Sequence, residues 1–102
     1  MKKEPKYYEV LLYLYNQKQE GKRYTHYYLL RKIIFDEETV KKYNHARRHK
    51  IVIDTRVCGY MGKLCRKNLC LVCYEYGTFS GYRITQKGID LLKEKNKILT
   101  KH

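Results

Sequence analysis

The sequence predicts a small α+β domain, and three observations carry that reading. Apolar residues in the first half recur at helical spacing, those in the second half follow strand patterns, and a threonine-led amphipathic segment follows the last strand. The chain of 102 residues is 43% hydrophobic, enough for one domain around one modest core and too much for wholesale disorder. A single domain over 1–102 is expected, with a cysteine-containing insertion and strand at 58–73 and a frayed end over 97–102.

Each element has its own signal. Tyr7, Val10, Leu11, Leu14 and Tyr15 fall at i, i+3, i+4, i+7 and i+8, the stripe of an amphipathic helix. Pro5 near its start costs no hydrogen bond, so the first helix is expected over 6–19, ended by Glu20-Gly21. Lys22 to Tyr24 reads as a short extended link. Thr25 is then the expected N-cap of a second helix over 26–34, with Leu29, Leu30, Ile33 and Ile34 as its apolar positions.

Asp36 offers another cap, with Glu37 and Glu38 at the positive end of the helix dipole, and predicts a third helix over 37–49. Val40, Tyr43 and Ala46 are expected inward. Lys41, Lys42, His45, Arg48 and His49 are spaced to share one broad basic face. Ile51-Val52-Ile53 reads as a short strand, and residues 55–68 have no clear period. Residues 69–76 are the best strand signal and Tyr82-Arg83-Ile84 another, joined by a five-residue loop from Gly77 to Gly81. Thr85 caps a last helix with Ile89 and Leu92 inward and Leu91 alongside.

Lysine and arginine number 23 against ten aspartates and glutamates, a formal charge of +13 with a pI near 9.7. Such an excess keeps a small protein soluble, and it also fits a polyanion partner, because clustered cations release counterions from phosphates. Thirteen basic and four acidic residues lie between Lys22 and Lys67, so the excess is concentrated there. No apolar run approaches the ~20 residues that span a bilayer. Met1-Lys2-Lys3-Glu4 leads into an amphipathic segment unlike a signal peptide, so an intracellular protein without a membrane role is expected.

Helix, link, helix, basic helix, strand, hairpin, helix is the order of a winged helix-turn-helix domain. Tyr82-Arg83-Ile84-Thr85-Gln86-Lys87-Gly88-Ile89-Asp90-Leu91-Leu92 resembles the last strand and following helix of archaeal winged-helix regulators. These often read Tyr-x-Leu/Ile-Thr-x-Lys-Gly before an apolar helix. Phe35 to Tyr43 is similar to the family's entry into its third helix. The whole resembles the small winged-helix proteins of archaea, often hyperthermophiles, and of their viruses.

The resemblance implies three helices, a two- or three-stranded wing hairpin and a C-terminal helix. It also implies duplex DNA binding in transcription regulation, and dimerisation through the terminal helices. The third helix would read the major groove, with Arg48 forked onto a guanine edge and Lys41 and Lys42 on phosphates. His45 and His49 would donate to phosphate when protonated. Gly77 to Gly81 would be the wing tip, with Thr78 and Ser80 bonding phosphates and Arg83 flanking it. Two features depart from the family pattern: the cysteine-containing stretch before the wing is long, and His49-Lys50 replaces the usual small residue and glycine.

Twelve tyrosines and no tryptophan open a second reading. Tyr7, Tyr15 and Tyr43 fit a core rim, whereas Tyr8, Tyr27, Tyr28 and Tyr60 are harder to place inward. Those four would line the groove of a protein-interaction module with no nucleic-acid role. Cys58, Cys65, Cys70 and Cys73 are separated by six, four and two residues. Disulfides are the first expectation, with Cys65 opposite Cys70 and Cys58 left for Cys73; a structural zinc is the second and free thiols the third. No other cofactor is expected. No phosphate loop or nucleophile elbow appears, and His45 and His49, four apart on one helix face, have Arg47, Arg48 and Lys50 beside them to oppose a metal cation, so an enzyme is not expected.

Overall fold

A computed structural model describes residues 6–35, 37–44 and 47–98. Helix α1 (Tyr7–Gln19) buries the stripe its sequence announces: Val10, Leu11 and Leu14 are inside, with Tyr7 and Tyr15 half-buried beside them. A Schellman turn ends it. The Lys22 amide donates to the Gln17 carbonyl, the Gly21 amide donates to Lys18, and Gly21 takes the left-handed φ of +87°. The chain then forms β1 (Thr25–His26), a 3-10 turn (Tyr27–Leu30) and α2 (Arg31–Ile34). Thr25 is thus a buried strand residue rather than a helix cap, because pairing with a distant strand fixes it in extended geometry.

The largest correction concerns the middle of the chain. The helix expected over 37–49 is represented by α3 (Glu37–Asn44) and by the start of α4 (Arg47–Arg66). The expected strand at Ile51–Ile53 and the apparently aperiodic insertion both belong to α4. Ile53, Val57, Met61 and Leu64 fall at i, i+4, i+8 and i+11, and all four are buried. Burial of that stripe overrides the β preference of the Ile-Val-Ile run. Asp36, Ala46 and His45 lie outside the described residues.

A second Schellman turn, with Asn68 at φ +62°, swings the chain from α4 into β2 (Cys70–Glu75) and packs Leu69 near Leu64. The β2–β3 hairpin turns on two residues, Tyr76 and Gly77, with φ of +54° and +76° as a type I′ turn requires. The five-residue loop expected from Gly77 to Gly81 is therefore mostly strand, since β3 spans Thr78–Ile84. Gly81 serves close approach instead of turning: a Cβ there would lie 2.0 Å from the Thr25 carbonyl oxygen. The three antiparallel strands are ordered β1-β3-β2, with Thr25 opposite Tyr82 and Cys70 opposite Ile84. Ser80 is the extra residue of a bulge between the Cys73–Gly81 and Tyr74–Phe79 pairs.

Helix α5 (Gln86–Glu94) begins as its sequence predicts, with the Gly88 amide donating to the Thr85 hydroxyl at 3.0 Å. Ile89 and Leu92 face the core. The core joins α1, α4, the sheet and α5 in one cluster, and α1 also packs on α5. Arg31 and Asp54 tie α2 to α4 through two hydrogen bonds of 2.5 and 2.7 Å. Among the described residues, no helix is long and apolar enough to cross a membrane.

Candidate nucleic-acid interface

Four of the five residues expected on one basic helix are divided between two. Lys41 is exposed on α3, with its ammonium 3.9 Å from the Glu37 carboxylate one turn away, a weak surface contact. Lys42 lies on the α3 backbone, and Arg48 and His49 on the first turn of α4; His45 falls outside the described residues. The outer side of α4 carries further basic residues. Arg56, Lys63 and Arg66 are all exposed, and spacings of seven and three keep them on one side of the helix. Sequence reasoning missed these three because the glycines and the Ile-Val-Ile run masked the helical period.

Charge on α4 is nearly uncontested. Its 20 residues hold six lysines and arginines and one carboxylate, Asp54, which Arg31 engages with both oxygens. Lys67, just beyond the helix, holds its ammonium 5.6 Å from the centre of the Tyr7 ring.

The wing residues sit differently from expectation. Thr78 is an exposed strand residue, Ser80 is half-buried in the bulge with its hydroxyl donating to the Thr78 carbonyl, and the tip itself is Tyr76-Gly77. Tyr76 is 99% exposed. Arg83 projects from β3 into a different place, a cleft of about 450 Å³ that it lines with Lys18, Lys22 and Arg23.

The tyrosines proposed as a partner surface separate into two groups. Tyr27 stacks on Phe79 with ring centres 5.3 Å apart, and Tyr28 stacks on His26 at 5.2 Å. Tyr8 lies against Tyr7 at 4.5 Å near the start of α1. Tyr60 is half-buried on α4, and burial, then Glu9 and Tyr7, raise its hydroxyl pKa. β2 is one edge of the sheet, and it leaves Leu71, Val72 and Tyr74 partly exposed.

The cysteines gather between α4 and the sheet as free thiols. The hydroxyl pKa of Tyr82 is raised by burial first and by neighbouring Cys58 second. Cys70 is fully buried, and burial followed by Cys65 pushes its thiol up to about 12. Burial also raises Cys65 and Cys73, the latter opposed by Arg83 and Arg23. The raised thiols stay protonated at neutral pH, and Cys70 fills the core as a small apolar group. Among the described residues, no three histidine, cysteine, aspartate or glutamate side chains are grouped to hold a metal ion.

No known protein family, curated protein or solved structure matches this chain.

Proposed function

We propose that this chain is a small winged-helix protein that binds duplex DNA through the outer face of α4 and the tip of the β2–β3 hairpin, as a transcriptional regulator does. The observation that carries the reading is the cationic helix: six lysines and arginines over about 30 Å, with its single carboxylate already held by Arg31. Such a helix fits the major groove, and each phosphate it neutralises frees a condensed counterion. The element order supports the family reading, because α4 directly precedes the hairpin and β1 closes on β3 to give a three-stranded sheet. The recognition role moves accordingly from residues 37–49 to α4. Arg48 remains the candidate for a guanine edge, Arg56, Lys63 and Arg66 join it, and Lys41 and Lys42 on α3 are left for phosphates.

Fluorescence anisotropy with a labelled duplex tests this. Affinity should fall steeply with salt, and a double Arg56→Ala, Lys63→Ala variant should lower the log–log slope by about 1.8, ~0.9 for each phosphate contact removed. Absence of duplex binding below ~10 µM at low salt, weaker than ordinary nonspecific association, sinks the proposal. An unchanged slope in the double variant removes α4 from the interface.

A further inference from the structure

The cleft that holds Arg83 is not part of the α4 surface, and among the described residues its lining gathers four cations and no carboxylate. Lys18 from the end of α1, Lys22 and Arg23 from the link to β1, and Arg83 from β3 converge on it. All four are exposed, and none of them forms an ion pair among the described residues. Like charges held around one concavity raise the free energy of the empty site, and an anion entering it relieves that repulsion.

The cleft does not end there. A second cavity of about 430 Å³ shares Lys22 and Arg23 with the first, so the two adjoin along one side of the molecule as a groove in two parts. Its lining is aromatic. Tyr24, His26 and Tyr28, at alternate positions along the chain, make a run of rings: Tyr24 meets His26 edge-on at 4.9 Å, and His26 stacks on Tyr28 at 5.2 Å and 22°. His26 is exposed and Tyr28 is 48% exposed, so ring surface stays open to solvent. Among the described residues Glu75 is the only carboxylate lining either cavity, and the Tyr24 hydroxyl donates to it at 2.5 Å.

We infer that this groove binds single-stranded nucleic acid, its phosphates along Lys18, Lys22, Arg23 and Arg83 and a base stacked on Tyr28. A lone phosphate would use the cations and leave the rings idle. A duplex keeps its bases stacked within itself and offers the rings nothing. A single strand presents phosphate and flat base in alternation, which is what cations continuing into aromatic rings can hold. None of the seven residues lies on α4 or in the hairpin turn, so the groove and the duplex surface are separable by mutation.

The test uses the full chain and a fluorescein-labelled oligothymidylate of about 12 nucleotides, within the ~4–16 covered by a small single-strand module. A Lys22→Ala, Arg23→Ala variant should lower the salt slope for this strand by about 1.4, ~0.7 per phosphate on single strands. Tyr28→Ala should weaken it about tenfold through lost stacking, while duplex affinity stays within about twofold. Tyr28→Leu, which keeps apolar bulk without a π face, serves if the alanine variant loses its far-UV dichroism. The inference is overturned if the wild-type chain does not bind the strand. It is equally overturned if Tyr28 variants bind as wild type, which makes the groove a plain anion site, or if only Arg56→Ala, Lys63→Ala reduces binding, which assigns the strand to α4. Loss of duplex binding with the strand retained on the groove would sink the duplex proposal and leave this one standing.

Discussion

Tyr76 holds the first central position of the hairpin turn at φ +54°, where asparagine or glycine is favoured because a bulkier side chain crowds the backbone. Its ring is almost wholly in solvent, so packing within the chain does not offset that strain. Tyr76→Asn is expected to stabilise the fold by about 1 kcal/mol and at the same time weaken duplex binding, two shifts of opposite sign read by thermal melting and anisotropy. A stabilised variant that binds as wild type would take the tyrosine out of the interface. Cys70 makes a different prediction. An unfolded chain ionises this thiol near pH 9, whereas the folded chain keeps the proton to about 12, so the native state binds more protons between those values. Its stabilisation is complete below pH 9 and declines as pH rises toward 12, by up to ~1.4 kcal/mol per unit. Melting temperature in reducing buffer should therefore fall more steeply across that window for the wild type than for Cys70→Ala. Parallel curves would assign the alkaline loss to other groups.

At the scale of elements, legibility followed how far a signal depended on neighbours in the sequence. The α1 stripe and the Thr85 cap are local, and both are found where the sequence puts them. α4 is hidden in the sequence because two local rules point the wrong way. Ile51-Val52-Ile53 has strand propensity, and Gly59 and Gly62 interrupt what otherwise is a helical repeat. A Cβ at either glycine would meet nothing within 4 Å, so close packing does not require them, and each weakens the helix by roughly 1 kcal/mol relative to alanine. The buried row of Ile53, Val57, Met61 and Leu64 outweighs them, and it was present in the sequence as a period that the glycines obscured. β1 was illegible for another reason: two residues become a strand only because β3, more than fifty positions later, pairs with them. The basic groove shares that cause, since Arg83 meets Lys18, Lys22 and Arg23 only after β3 folds back. Arg31 offers the test of how elements are joined. Arg31→Ala should cost about 1–2 kcal/mol, a value reduced from that of a buried pair because both side chains retain about a quarter or a fifth of their exposure. It should also free Asp54 to oppose phosphate on α4 and weaken duplex binding. A variant as stable as wild type would show that packing alone fixes α2 against α4.

Over the whole molecule, the composition announced a basic domain with one core, and the fold divides that charge into organised surfaces. A net charge of +13 on 102 residues carries self-repulsion that salt screens. Raising salt from low concentration to ~0.5 M should therefore raise the melting temperature while lowering duplex affinity, and a melting temperature that falls would mean that favourable ion pairs dominate the surface. The core itself has a topology with a temporal consequence. Val10, Leu11 and Leu14 of α1 share their cluster with Tyr82, Ile84, Ile89 and Leu92 near the other end of the chain, and Thr25 waits for Tyr82. Contacts this far apart are entropically costly to close, so they form late. During synthesis the first helix leaves the ribosome well before β3 and α5, so the part of its apolar stripe that those elements cover stays open until they have emerged. A nascent chain stalled before β3 would present that stripe beside a cationic helix, a combination suited to capture by ribosomal RNA or a chaperone before the native fold can claim it.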